Sequence, residues 1–390
     1  MKEVKFKQTE VGMIPNDWEV KRLGNLADIR TGKKNGNEAV ENGKYLFFVR
    51  SQDVYRINTY SYDGEAILVP GEGNIGSIFH YVNEKFDFHQ RVYKISDFPD
   101  DISCKFVYYV MKHFFGDWAL KKTVKATVDS LRLDTFENFT FSCPPTKKEQ
   151  TAIATTLGDI DAVISTTEKL IAKKKALKQG TMQTLLSGKM RIQNGKWIKT
   201  TNFKQTELGP IPQEWEVRRL GNLANIKTGK KNGNEAVENG KYPFFVRSQE
   251  IYRINTYSYD GEAILVPGEG NIGSIFHYVN GKFDFHQRVY KISDFPNNIS
   301  CKFIYYVMKQ YFGDWALKKT VKATVDSLRL DTFENFAFNC PSTKEEQTAI
   351  ATILSDMDSE IVALETKLAK YRQLKTGMMQ QLLTGKVRLV

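Results

Sequence analysis

Two sets of residues have the types and spacing to do chemistry. The first is a glycine pattern, Gly71-Glu72-Gly73-Asn74-Ile75-Gly76, which recurs as Gly268–Gly273. After a strand, GxGxxG is the fingerprint of a dinucleotide fold, where the last glycine opens a helix whose N–H groups hold a pyrophosphate. The approach fits, because AILVP precedes the pattern. The exit does not: SIFHYVN is short, β-rich and aromatic, and reads as a returning strand. Without a helix N-terminus there is neither dipole nor N–H fan for a phosphate. The pattern is expected to be a hairpin turn, and no cofactor is expected.

The second set is four polar stretches, each present twice. Thr31–Asn37 offers Lys33, Lys34, Asn35 and Asn37, matched by Lys230, Lys231, Asn232 and Asn234. Arg50-Ser51-Gln52 is matched by Arg247-Ser248-Gln249, and His89-Gln90-Arg91 by His286-Gln287-Arg288. Lys121–Arg132 offers Lys122, Lys125, Thr127 and Ser130, matched by Lys319, Lys322, Thr324 and Ser327. Lys and Arg neutralise phosphates, and Arg, Asn and Gln make bidentate contacts to guanine and adenine edges. These residues are the candidate DNA-binding set. Each stretch alone says little, since lysines in a turn are more often solvated than functional, and a His-Gln-Arg run in a strand also suits a satisfied buried network. No Walker A, HExxH, GxSxG or zinc-knuckle pattern occurs, nor an acidic/aromatic target-base motif of the methyltransferase type. Of the histidines His80, His89, His113, His277 and His286, His113 becomes Gln310 in its copy, so it belongs to no shared chemistry. No catalytic residue and no metal ligand is assigned.

Composition narrows the partner. The net charge of +11 points towards a polyanion, most often nucleic acid. There is no run of 18 apolar residues and no apolar leader in MKEVKFKQTEVGMIP, so neither a membrane span nor secretion is indicated. The cysteines Cys104, Cys143, Cys301 and Cys340 are too sparse for a disulfide framework and suit a reduced, cytoplasmic setting.

The elements that must position these residues come from an internal duplication. IPNDWEVKRLGNL around Trp18 returns as IPQEWEVRRLGNL around Trp215, 197 residues on, and that offset holds without a gap to the C-terminus. Thr31–Tyr45, Tyr55–Asn83, Lys85–Pro99 and Gly116–Phe139 recur unchanged. Each repeat has two parts. Residues 1–145 and 198–342 carry short strands such as EAILVPG, GSIFHYV and RVYKIS, with KFVYYVMKHFFGDWAL as a helix or buried segment. The fold class is therefore mixed α/β (α+β), with two β-rich globules.

Residues 146–190 and 343–388 read as long helices. Thr146-Lys147-Lys148-Glu149 and Thr343-Lys344-Glu345-Glu346 have capping-box spacing, and Gly188 and Gly385 stand where C-terminal caps belong. In the second helix Ile350, Leu354, Met357, Ile361, Leu364, Leu368, Tyr371, Met378 and Leu382 keep 3/4 spacing, with Lys375 as a break. In the first, Ile153, Leu157, Ile160, Ile164, Ile171 and Leu185 do so, with Thr167, Lys174, Lys178 and Thr181 interrupting and Leu170 and Leu177 widening the face. In the second helix Leu374 keeps that flanking place and Lys367 takes the other. A seam this long cannot be buried on its own small globule. The expectation is an antiparallel coiled coil of the two helices, pseudo-two-fold symmetric, with the globules at opposite ends and Gln193–Thr201 as connector.

At this point the chain resembles the specificity (S, HsdS) subunits of type I restriction-modification systems. The resemblance covers essentially the whole chain, from IPNDWEVKRLGNLADIRTG to DSLRLDTFENFTFSCPPTKKEQTAIATTLGDIDAVI and their copies. It implies that the globules are target recognition domains, each reading half of a bipartite site in double-stranded DNA, and that the helices are spacers that dock two methyltransferase (modification) subunits. Those subunits bind S-adenosylmethionine and methylate adenine, and restriction subunits are further partners that supply translocation and cleavage. The chain itself is then non-catalytic. One departure matters: in this family the two recognition domains usually differ, whereas here Leu46/Pro243, Asp53/Glu250, Glu84/Gly281 and His113/Gln310 all spare the four polar stretches. Two equal readers imply an inverted-repeat target. The alternative, from another class, is a coiled-coil scaffold whose basic domains bind protein.

Overall fold

The computed structural model describes residues 5–73, 76–122, 130–270, 273–319 and 327–389. Each repeat holds a six-stranded sheet. In the first, the spatial order is Asp28–Thr31, Val92–Ser96, Tyr62–Pro70, His80–Phe88, Tyr45–Phe48, Val54–Ile57. All neighbours are antiparallel except Tyr45–Phe48, which runs parallel to His80–Phe88. The second repeat has the same order, from Asn225–Thr228 to Ile251–Ile254. Alternation along Tyr62–Pro70 builds two cores at once. Ile67 and Val69 face the main core with Phe106, Val110 and Phe115, while Ala66 and Leu68 face a smaller one with Phe48, Val82 and Phe86.

The glycine pattern lies between the antiparallel strands Tyr62–Pro70 and His80–Phe88, as expected of a hairpin rather than a dinucleotide fold. Its last glycine has a packing reason. Gly76 has φ +64°, and a Cβ there would stand 2.4 Å from Gly116 Cα, so the turn lies directly on the helical segment. That segment is Cys104–Val110, a π turn over Met111–Phe115, then Gly116–Lys122; in the second repeat it is one α-helix, Cys301–Lys319.

The long helices are Lys147–Leu186 and Lys344–Leu382, each spanning roughly 60 Å at 1.5 Å per residue. Thr146 Oγ1 and Thr343 Oγ1 accept the N–H of Glu149 and Glu346 at 3.3 and 3.4 Å. Only this half of each capping box forms. The buried Glu149 and Glu346 carboxylates instead take bidentate bonds from Arg388 and Arg191. Gly188 and Gly385, at φ +72° and +69°, cap the C-termini by donating to Leu185 O and Leu382 O. Beyond Gly188, the connector folds into a hairpin, Met190–Gln193 with Lys196–Lys199, closed by Asn194 and Gly195 at φ +50° and +71°.

The compact units do not follow the repeats. One comprises residues 1–168 and 366–390, the other 169–365. Each takes a globule, the near half of its own helix and the far end of the other helix. In the first unit Ile153, Ala154 and Leu157 share a core with Ile14 and Trp18, and Met379, Leu382 and Leu383 complete it. In the second unit Ile350, Ala351 and Leu354 meet Ile211, Trp215, Met182, Leu185 and Leu186. Within each unit the helix halves pair antiparallel. In the second unit Lys174 meets Glu360 and Lys178 meets Asp358; in the first, Glu168 meets Arg372 and Asp161 meets Lys375.

These pairs correct the expected seam. Lys178, Thr167 and Lys375 are not gaps in it. Lys178 and Thr167 are buried, and the Lys178 and Lys375 ammonium groups donate to Asp358 and Asp161. The same carboxylates accept the hydroxyls of Tyr306 and Tyr109 at 2.9 and 3.0 Å. Leu170, Leu177 and Leu374, expected to widen the buried face, are exposed, and Met379 is buried in place of the expected Met378, which is only partly buried.

Arg388 closes the first unit by bonding both the buried Glu149 and the exposed Asp17. Arg388→Ala strands Glu149 in the core, and removing one partner of a buried pair typically costs about 3 kcal/mol or more. Chemical denaturation should show the first unit destabilised by that order, with Arg388→Lys recovering only part. An unchanged midpoint would count against the clamp.

Candidate nucleic-acid interface

The sheet order brings three of the polar stretches to one end of the parallel strand pair. Tyr45–Phe48 runs out into Arg50-Ser51-Gln52 and His80–Phe88 into His89-Gln90-Arg91, with His89 N–H donating to Phe48 O at 2.9 Å. The Thr31–Asn37 loop is stitched to the second of these. Lys34 and His89 form a bridge, Gln90 N–H donates to Lys34 O, and Gln90 Nε2 donates to Asn35 Oδ1, both at 2.9 Å. Asn35 also caps the short helix Gly36–Glu38, whose Glu38 accepts Asn35 N–H at 2.8 Å and Lys34 Nζ at 2.9 Å.

Glu72, inside the glycine pattern, gathers the set. Its carboxylate accepts from Arg50 Nη1 at 3.2 Å and from Arg91 Nη1, and its backbone bridges to Ser130. Gly71 N–H donates to Arg91 O at 2.8 Å, and Leu131 N–H to Gly71 O at 2.6 Å. Around Glu72 lies an open concavity of about 500 Å³ lined by Gly36, Val49, Arg50, Ser51, Tyr55, Glu72, Gly73 and His89. The second repeat has the same feature at about 450 Å³, lined by Gly233, Val246, Arg247, Ser248, Tyr252, Glu269, Gly270 and His286. There Glu269 holds Arg247 and Arg288, Lys231 pairs with Glu235, and Gln287 donates to Asn232.

Not every candidate joins this cluster. Lys33 is exposed beside a different hollow, with Asp28, Arg30, Tyr62 and Lys94. Lys230, Asn37, Asn234, Gln52 and Gln249 are also exposed. Ser130 and Ser327 are half-buried at the bridge to the glycine turn. Lys125, Thr127, Lys322 and Thr324, and the side chains of Lys122 and Lys319, lie outside the described residues. Sequence reasoning missed Glu72 and the exposed Tyr55, with their copies Glu269 and Tyr252. The carboxylate was legible in the glycine motif, but testing that motif only for a cofactor hid it.

Chemically, each concavity offers two guanidiniums sharing one carboxylate, plus amides, a hydroxyl and an aromatic ring. Each guanidinium side chain is about half exposed and keeps donors free in a planar fork suited to paired acceptors. Among the described residues no group of three His, Cys, Asp or Glu is placed to hold a metal ion. The four cysteines are buried and free. No helix of the described residues is long and apolar enough to cross a membrane.

Comparison with known proteins decides the family. The profile of the type I restriction modification DNA specificity domain matches twice, over residues 15–177 and 212–373. The chain belongs to the type I restriction-modification DNA specificity family. It is similar to the type I restriction enzyme MjaVIII specificity subunit of Methanocaldococcus jannaschii, at 25% identity over 426 aligned positions, covering all of this chain and 97% of that one. To the type I restriction enzyme EcoDI specificity subunit of Escherichia coli it is 31% identical over 180 positions, 45% of this chain and 38% of that one. The crystal structure of a type I restriction-modification S subunit from M. genitalium shares the fold, with TM-score 0.73 at 18% identity over 97% of this chain and 98% of that one.

In this specificity-family chain burial shifts the histidines beside the concavities towards the neutral form. Burial pushes His80, His277, His89 and His286 below the ordinary value of 6.5. His80 Nε2 lies 3.1 Å from Ser51 O and so carries the ring proton, while His89 Nδ1 accepts Arg91 N–H at 3.0 Å. A folded value below the unfolded one means stability that is complete above about pH 6.5 and declines as pH falls towards the folded value. NMR titration should therefore find these imidazoles ionising below 6.5, and any of them at or above it would contradict the packing described.

Proposed function

We propose that the chain is the non-catalytic DNA-reading subunit of a type I restriction-modification complex. Each globule reads one half of a bipartite site in double-stranded DNA, and the helices serve as spacer and as docking surface for methyltransferase subunits, with restriction subunits as additional partners. Adenine methylation and DNA cleavage belong to those partners. The observation that carries the reading is the pair of matching arginine-lined concavities, one in each recognition domain and identical in every lining residue type. The exposed Lys33 and Lys230 and the half-exposed Lys34 and Lys231 flank them as phosphate contacts, while Arg50, Arg91, Arg247, Arg288, Gln52, Gln90, Gln249 and Gln287 face base edges.

Because the linings match, the two half-sites are the same. Two equal readers imply half-sites in inverted order. The target is then an interrupted palindrome. Mapping methylated adenines in the host should reveal such a motif, and two dissimilar half-sites would sink the idea.

Binding should also divide by residue. Measured on the chain assembled with its modification subunits, Arg91→Ala with Arg288→Ala should cost about 1–3 kcal/mol on the target duplex and relax sequence preference. Lys33→Ala with Lys230→Ala should weaken all duplexes alike and flatten the log–log salt slope by about one for each phosphate no longer neutralised. If the assembled chain shows no salt-dependent binding to any duplex, the basic domains bind protein rather than DNA.

A further inference from the structure

Glu72 and Glu269 stand between two arginines in a basic, solvent-facing concavity, an arrangement that simple phosphate binding does not call for. Each carboxylate lies in a surface meant for a polyanion, where it repels phosphate. Its own position is fixed: the Glu72 backbone bridges Ser130, Gly71 is bonded to both Arg91 O and Leu131 N–H, and the Glu269 turn repeats these bonds with Ser327, Arg288 and Leu328. The backbone that carries the carboxylate cannot move away from the arginines without breaking that ladder. The four arginines are about half exposed, so without the glutamates they would be long, mobile cations open to any phosphate.

Resting on the DNA-reading proposal above, we propose that Glu72 and Glu269 are specificity-determining residues that hold Arg50, Arg91, Arg247 and Arg288 away from the phosphate backbone and leave them available to base edges. The physical reason is a difference in what competes for the guanidinium. A phosphate approaching the arginine also approaches the glutamate, and that repulsion offsets its attraction. A guanine edge presents two neutral acceptors, O6 and N7, and accepts a bidentate guanidinium without the like-charge cost. The glutamate therefore penalises sequence-independent binding more than base recognition. It also fixes each fork in one orientation, which lessens the side-chain ordering required at binding.

The test is fluorescence anisotropy of a mixed-sequence duplex with the full chain assembled with its modification subunits, across a salt series. Glu72→Gln with Glu269→Gln keeps side-chain size and removes the charge. The variant should bind the mixed duplex several-fold tighter at low salt, and its log–log salt slope should steepen by about 0.9 for each arginine that gains a phosphate. Adding Arg50→Ala, Arg91→Ala, Arg247→Ala and Arg288→Ala should cancel the gain. That cancellation, with an unaltered thermal unfolding curve, separates released arginines from a misfolded basic chain. If the Gln variant matches the wild type in affinity and slope while Arg91→Ala with Arg288→Ala still weakens binding to the target duplex, the gating role falls and the DNA-reading role stands. If neither the wild type nor the arginine variants show salt-dependent binding to any duplex, both fall together.

Discussion

Everything in this fold depends on an exchange of helix ends. Neither globule closes its own core. The seat formed by Pro15 and Trp18 is filled by the end of the second long helix, and the seat formed by Pro212 and Trp215 by the end of the first. The fit is close: a Cβ on Gly385 would come within 2.4 Å of Pro15, and one on Gly188 within 2.5 Å of Pro212. Arg388 and Arg191 then seal the seats, each reaching a buried glutamate at the start of a helix from the other repeat. Burial of apolar surface drives the docking, and the ion pairs specify which end docks where.

This exchange explains how much could be read beforehand. The duplication, the capped helices, the strands and the hairpin reading of Gly71–Gly76 were all legible, because each rests on local pattern: periodicity, turn chemistry or a missing helix after the glycines. What local pattern hides is partnership at a distance. Lys178 and Lys375 look like breaks in an apolar seam, since a heptad rule assigns lysine to solvent. Their partners Asp358 and Asp161 lie far along the chain, and only the antiparallel pairing brings them together. The same limit applies to Thr146-x-x-Glu149, where spacing foretells a reciprocal box but Arg388 outcompetes the backbone N–H for the carboxylate.

At the proposed DNA-reading surface the structure gathers three of the four polar stretches around Glu72, a residue the sequence pattern does not single out. Arg50 and Arg91 belong to different strands and converge because the parallel pair Tyr45–Phe48 and His80–Phe88 ends at one edge. No periodicity announces a parallel pairing. Glu72 is hidden for a different reason: the glycines around it match a cofactor motif, and its arginine partners are distant in sequence. Gly76 serves packing against Gly116, and Glu72 serves the arginines, so one short pattern carries two unrelated duties.

The duplication also acquires a mechanical meaning. Where a residue's partner belongs to the other repeat, a change in one copy disturbs the other's core. The residues that make the more buried crossings are the same type in both copies: Lys178 and Lys375, Asp161 and Asp358, Arg191 and Arg388, Glu149 and Glu346. Positions nearer solvent on the same helices are released from that tie. The more exposed pair Lys174 and Glu360 is answered by Tyr371 and Val163, and the exposed Leu170 by Lys367. The proposed recognition surface lies outside the exchange, since each concavity is built wholly from its own globule. The fold would therefore tolerate different readers on the two repeats while requiring identical docking chemistry. Under the DNA-reading proposal, the likeness of the two readers in this chain reflects its target and not a demand of its architecture.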